Sequence, residues 1–588
     1  MTVNTGGPGD SGSGGAATAA HPPAGRDFDR VADTATTNGL LRCWLRETGA
    51  PVPERGTLTL DLPASGTRLE TEVLHHSPAG FHRFGPARLA PGTPVSAVTV
   101  AALLAEEAAA GRDSTPETVS DLVARVADSQ RRTAHHLTRR SAETDEPDDR
   151  PPFLAAEQAL VLGHPLHPAP KSRIGVTDTE TEHFSPELRG SFPVHWFAAD
   201  PSVVSSSGDA HELLAPIAPE TPPGTVPIPA HPWQAREIRT RPGVRERLAE
   251  GTLRDVGPGG PEWYPTASLR TLYAPGVPVM LKLSLGLPIT NSKRENLRAE
   301  LRRGAEIDRL LDAGLASELA AAYPTFGIVR DPAWITVDPD PAAGTGRPES
   351  GLETVLRANP FPAGQRSVCV AGLLAERPDT GTAGLSRVVA ELEERTGRDR
   401  QDIAEEWCAR YADTVLAPVL WLYGTYGLGL EAHQQNTLVT LDDAGWPSGG
   451  WYRDNQGYYI SERRSGELDR ILPGVGDDGA NRCDDAVIDE RLGYYIGVNN
   501  VLGLVGAFGA LGIADERPLL EVFRERLRRF DTLPLARTLA ESETLRCKAN
   551  LLTRIDGLDE LVGPLETQSV YRTIANPFTA EVRSRAGA

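Results

Sequence analysis

Lysine is almost missing from this chain: only Lys171, Lys282, Lys293 and Lys548 stand among its 60 basic residues. Arginine does the ordinary surface work, so a surviving lysine marks a place that needs a compact ammonium instead of a planar fork. Cysteine is scarce as well. Its five copies, at 43, 369, 408, 483 and 547, form no CxxC pair, which argues against a disulfide framework or a zinc site and fits a reducing cytoplasm. Positive net charge is lacking: the chain carries −20 at pH 7, which argues against a nucleic-acid surface, because such a surface must neutralise phosphates. An anionic substrate therefore has to meet positive charge gathered locally. No apolar run reaches the roughly 20 residues of a membrane span. The longest, Val501–Ala514, contains four glycines and reads as a buried helix packed against close neighbours. No GxxxxGK[ST] loop occurs, and no GxGxxG joins a strand to a helix, which disfavours the common nucleotide folds.

At 588 residues the chain exceeds what one hydrophobic core serves, so two or three cooperating lobes are expected. Residues 1–26 are mostly Gly, Ser, Ala and Pro, with no basic start and no apolar core, and read as a disordered leader instead of a signal peptide. From 27 to 150 the spacing predicts a helical lobe, with helices over Phe28–Glu47, Val95–Ala110 and Glu117–Arg139 and a short strand over Thr57–Leu62. The charged segment Glu143–Pro152 is its linker. From 151 to 385 the pattern is mixed, with strands over Val279–Leu285 and Gly327–Val329 and a charged helix over Lys293–Ala313. From 386 to 588 it is largely helical, interrupted by a strand over Thr437–Leu441, a turn at Asp442–Gly445 and a strand near Trp451. The fold class is α+β.

Four motifs carry chemistry. Gly163-His164-Pro165-Leu166-His167-Pro168, with Lys171 and Arg173 after it, concentrates donors suited to carboxylate or phosphate oxygens on a Pro-stiffened loop. Ala230-His231-Pro232-Trp233-Gln234 is either an imidazole and an amide under an aromatic lid or a loop staple. Ser268-Leu269-Arg270-Thr271, a strand carrying Lys282, and Thr290-Asn291-Ser292-Lys293-Arg294 together predict an anion site, with Thr290, Asn291 and Ser292 capping the helix that Lys293 opens. Lys282 lies in VMLKLSL, where an unpartnered ammonium is costly. Glu431-Ala432-His433-Gln434-Gln435-Asn436, then a hairpin, then Arg453-Asp454, offers hard oxygens from Glu431, Asn436 and Asp454 for one Mg²⁺ ion, and sets His433 and Gln435 on one side of the loop.

In this order and spacing, GHPLHPAPKSRIG, AHPWQ, SLRT with KLSLGLPITNSKR, and EAHQQN with RD resemble the signatures of the siderophore synthetases that work without nonribosomal peptide synthetases, the IucA/IucC family. The resemblance spans about residues 150–575. It implies a three-lobed thumb, fingers and palm fold, with fingers over 151–385 and a loosely kinase-like palm over 386–588 whose sequence is like FhuF ferric-siderophore reductases. It implies ATP held by Ser268, Arg270, Lys282, Thr290, Asn291, Arg294 and Gln435, and Mg²⁺ held by Glu431, Asn436 and Asp454. The acid would meet His164, His167, Lys171, Arg173 and His433, with His433, Arg294 and Lys282 serving catalysis. The implied reaction is adenylation of a polycarboxylic acid, citrate favoured, and capture by an amine or alcohol as an amide or ester, with AMP and pyrophosphate released, in a cytoplasmic and often dimeric enzyme. The segment Lys548-Ala549-Asn550 leans towards free citrate. Two other readings stand beside this one: a ligase forming an acyl-phosphate and ADP, and an iron-siderophore binding or reductase protein. The second predicts clustered cysteines near the C-terminus, where only Cys547 lies.

Overall fold

The computed structural model describes residues 27–112, 114–141, 150–338, 349–378, 381–560 and 568–579. The leader 1–26 and positions 143–149 of the linker lie outside the described residues.

The N-terminal lobe is built on helices Phe28–Thr48, Ala97–Ala109 and Pro116–Arg140. Asp27 caps the first by accepting from Arg30 N, and Gly49, at φ 72°, ends it in the left-handed region that suits glycine. Against these helices lies a five-stranded sheet that begins with the antiparallel pair Gly56–Leu62 and Thr67–His75. The spacing predicts only the first of these strands; the others depend on pairing partners. Leu58, Leu60, Leu62, Leu69 and Val73 face the helices, and Ala549, Leu551, Leu552 and Ile555 from the far end of the chain complete the core. This lobe is thus pinned to the segment after Lys548.

An eight-stranded antiparallel sheet forms the middle lobe. Its strands run, edge to edge, Val204–Ser207, Ala333–Val337, Thr354–Ala358, Val279–Lys282, Thr271–Tyr273, Leu253–Pro265, Phe192–Ala199 and Val226–Ala230. Trp196, Phe197, Ile228, Leu281 and Leu356 belong to its core. The strand carrying Lys282 is buried along its length and pairs Lys282 with Thr271.

The third core gathers helices Arg400–Tyr411, Ala417–Tyr426, Leu502–Ala510 and Glu516–Leu527 around two small sheets. One contains the hairpin Thr437–Leu441 and Pro447–Tyr452; the other pairs Leu428–Leu430 with Tyr458–Ser461. The apolar run after Val501 is a buried helix, and glycine is needed there for close approach: a Cβ at Gly506 would stand 2.4 Å from the Phe81 ring.

The anion-site segment folds differently from the expected helix. Leu285–Ile289 and Ser292–Arg294 form a two-stranded hairpin turned at Thr290–Asn291, and the helix begins only at Arg298. Thr, Asn and Ser favour helix caps and turns for the same reason, their short side chains bonding nearby backbone, so local chemistry leaves the choice open. Burial of Leu285, Leu287 and Ile289 beside Trp233 and Leu269 decides it.

Candidate active site

The lobes enclose a cavity of about 1320 Å³. Lys282 is at its floor. Its Nζ stands 2.8 Å from Asp454 Oδ1 and 2.5 Å from Gln456 Oε1. Burial draws its pKa down to about 8 against the pull of Asp454. Burial alone would raise Asp454, but Lys282, Arg357 and Arg270 outweigh it and hold the carboxyl well below the usual range. Arg270 donates from Nη1 to Asn296 Oδ1 at 2.7 Å and to Arg294 O at 3.1 Å. Its hydrogen-bond acceptors are neutral, and burial lowers its pKa to about 10 against the pull of Glu300 and Asp454. Arg294 donates from Nη2 to Thr290 Oγ1 at 2.7 Å, and Ser268 Oγ accepts from Thr271 N at 3.1 Å. Strand ends and a hairpin therefore gather these cations, and no helix N-terminus at Lys293 contributes.

The palm hairpin brings Asn436 and Asp454 together at its open end, where Arg453 N donates to Asn436 O at 2.9 Å. Asn436 Nδ2 donates to Glu431 O at 3.2 Å and to Asp454 Oδ2 at 3.4 Å. Glu431 accepts from the Tyr459 hydroxyl, and burial raises its pKa. Among the described residues no three His, Cys, Asp or Glu side chains gather around one point; the oxygen set is two carboxylates and an amide, donors that suit Mg²⁺. His433 packs its ring 5.7 Å from that of Tyr495, and burial first, with His164, Lys548 and Arg294 adding to it, lowers its pKa to about 3. Gln435 lines the same wall and its carbonyl accepts from Arg453 Nη2 at 2.8 Å.

Asn291 turns away from the cations into a second cluster. Its Nδ2 donates to Glu560 Oε1 at 2.6 Å, and Glu560 Oε2 pairs with Lys548 Nζ at 2.8 Å. His167 Nδ1 accepts from Ala169 N at 3.1 Å, so the neutral ring carries its proton on Nε2 and donates to Asn291 Oδ1 at 3.2 Å. Asn550 Nδ2 donates to Leu166 O at 2.7 Å. His164 lies beside Asn499 at 3.1 Å. Burial pulls His164 to about 4 and His167 to about 3. Lys171 and Arg173 also line the cavity, but both are buried against Glu187, at 2.5 and 3.5 Å. His231 proves a loop staple: its Nδ1 accepts from Trp233 N, and its ring packs edge-on against Phe184 and Phe192.

Backbone strain collects here. Leu269, Thr290, Asp454 and Ala480 have φ of 63°, 54°, 108° and 48°, four of the five positive-φ residues other than glycine among those described, and three of the four line the cavity. Such conformations persist only where the surroundings over-determine them. Asn296, Gln456 and Glu560 escape sequence reasoning. For Asn296 and Gln456 the available signal is an amide residue inside a run already rich in site residues, SKREN and RDNQ.

A sequence model of the IucA / IucC family matches residues 152–375, and one described as ferric iron reductase FhuF-like transporter matches residues 405–563. The chain is 36% identical to the rhizobactin siderophore biosynthesis protein RhbC of Rhizobium meliloti, over 93% of this chain and 97% of that protein. It is 33% identical to the spermidine-citrate ligase of Bacillus anthracis, over 95% and 99%. ATP-bound aerobactin synthetase IucA from Klebsiella pneumoniae superposes with a TM-score of 0.82 at 27% identity, over 93% of this chain and 99% of that one.

Proposed function

Because the chain belongs to the IucA/IucC family, we propose that it is an ATP-dependent ligase of siderophore assembly that joins a polycarboxylic acid, citrate foremost, to an amine through an acyl-adenylate. A carboxylate oxygen of the acid attacks the α-phosphorus, the bond to the β-phosphate breaks, and pyrophosphate leaves. The amine nitrogen then attacks the acyl carbon, the bond from that carbon to AMP breaks, and the amine loses one proton.

The observation that carries this reading is the gathering of Arg270, Lys282 and Arg294 in one cavity with Asn436 and Asp454, which His433 lines as well. Two anions must be brought together, and fixed cations in a partly dry cleft lower the barrier without reorganising. Arg270 and Arg294, whose side-chain partners are neutral, hold phosphate oxygens, with Ser268 and Thr290 beside them. Lys282 exchanges Asp454 for phosphate. Glu431, Asn436 and Asp454 would hold Mg²⁺, which when bound offsets charge on the phosphates. His433, kept neutral, donates one N–H to the acid or the α-phosphate. His164 and His167 border the acid, while Lys171 and Arg173 with Glu187 leave one buried positive charge behind them. The ATP-bound relative and the citrate ligase among the relatives support ATP and citrate as substrates.

Hydroxylamine trapping tests this reading. Purified protein with ATP, Mg²⁺ and one acid at a time is expected to give hydroxamate and AMP in equal amounts with citrate. ADP in place of AMP would assign an acyl-phosphate instead.

A further inference from the structure

At about 1320 Å³ the cavity exceeds the roughly 300–1,000 Å³ that enclose one small ligand, and an arm of it runs from the acid side into the N-terminal lobe. The arm starts between two motifs. A Cβ at Gly39 would lie 3.5 Å from His167 O, and Ala371 N donates to Gln434 O at 3.1 Å. Phe81, Leu374, Ala507 and Leu511 give it apolar walls.

Its charge lies in three side chains. Arg42, on the first helix, donates from Nε to His82 O at 2.7 Å; its two terminal nitrogens make no hydrogen bond to the described residues. Arg83 donates from Nη1 to Glu376 Oε1 at 2.9 Å, yet its Nε is buried with no acceptor. Burial, and then Arg83, lower the pKa of Arg42 to about 10, with Glu376 opposing them. Two guanidiniums thus share one carboxylate. One positive charge and several N–H groups remain unmet in a cavity wall, a situation that a bound carboxylate relieves.

We propose that this arm is the amine subsite and that it takes an amine carrying a carboxylate remote from its nucleophilic nitrogen, gripped by Arg42 and Arg83. The proposal rests on the ligase reading above, which puts the activated acyl carbon beside His433 and His167. Gly39 and Arg42 share a face of the helix, one turn apart and about 4.5 Å along its axis. A polyamine of the kind named for the Bacillus anthracis relative would bring further positive charge to an end already positive.

The test pairs amines that differ only in the carboxylate: 2,3-diaminopropanoate against 1,2-diaminoethane, and ornithine against 1,4-diaminobutane, with spermidine alongside. Full-length wild type, Arg83→Gln and Arg42→Lys are compared for amide formation and for citrate-dependent pyrophosphate–ATP exchange. Expected are at least a tenfold lower KM for each carboxylate-bearing amine in the wild type, loss of that advantage in both variants, and exchange within about twofold of wild type in all three. Equal or better use of the plain diamines or spermidine overturns the proposal. So does an advantage that survives both substitutions, or exchange that fails in the variants, since the arginines would then serve activation. Absence of exchange in the wild type with any acid would strike the ligase reading itself.

Discussion

At the residue scale the account turns on Lys282. Its pKa of about 8 means that it carries its charge below that pH and loses it above, so kcat/KM for ATP should fall as pH rises past 8. Lys282→Arg should remove that inflection while lowering activity overall, because a fork replaces a point charge. An unchanged profile in the arginine variant would detach the inflection from Lys282. His433→Ala and Arg294→Ala should each cost on the order of 100-fold in adenylation with the fold intact, the usual loss when a transition-state contact goes; circular dichroism and exchange rates together check this. The scarcity of lysine signals these places well: Lys171, Lys282 and Lys548 each pair with one carboxylate at the cavity, and only Lys293 is exposed. The partners are harder to read. Asp454 lies 172 residues from Lys282 and Glu560 lies 269 from Asn291, and no local pattern announces a contact at that distance.

At the element scale the strands around Lys282 and the palm hairpin can be read from apolar runs and a Gly-containing turn. The Thr290–Asn291 hairpin cannot, because the same residues cap helices and make turns. Another element was invisible in the sequence: the short helix Asn550–Ile555, whose N-terminal Leu551 and Leu552 N–H groups both donate to Glu47 at 2.9 Å. Glu47 thereby ties the first helix to Lys548 and Asn550. Burial pushes its carboxyl from 4.5 to about 7, against the lowering effect of those N–H bonds and Arg46. Between these values the folded state binds more protons than the unfolded state, so this contribution to stability is complete below about pH 4.5 and lost as pH rises through 7. Urea melts at pH 5 and 8 should show the stability of the wild type falling by about 2 kcal/mol relative to Glu47→Gln. A constant difference would place the Glu47 pKa outside that window.

At the scale of the whole molecule, three cores meet at one cavity, and within it Lys282 is paired with Asp454, both belonging to the proposed MgATP site. Either ligand component alone leaves one of the pair without a counter-charge. ATP and Mg²⁺ together should therefore raise the melting temperature by more than the sum of their separate effects, approaching about 2.7 kcal/mol of added stability at a hundredfold excess over Kd. Additive shifts would argue against a shared site. Among the described residues no helix is long and apolar enough to cross a membrane. The order of the four motifs made the family legible; the amine subsite was not, since Arg42, Arg83 and Glu376 come from three separate segments with no motif of their own. The most direct test of the central claim, attack of a carboxylate on the α-phosphorus, is to supply citrate labelled with ¹⁸O in its carboxylates, with ATP, Mg²⁺ and an accepted amine, and to weigh the products. One ¹⁸O in AMP, with unlabelled pyrophosphate, is the predicted result, and ¹⁸O in inorganic phosphate released with ADP would contradict it.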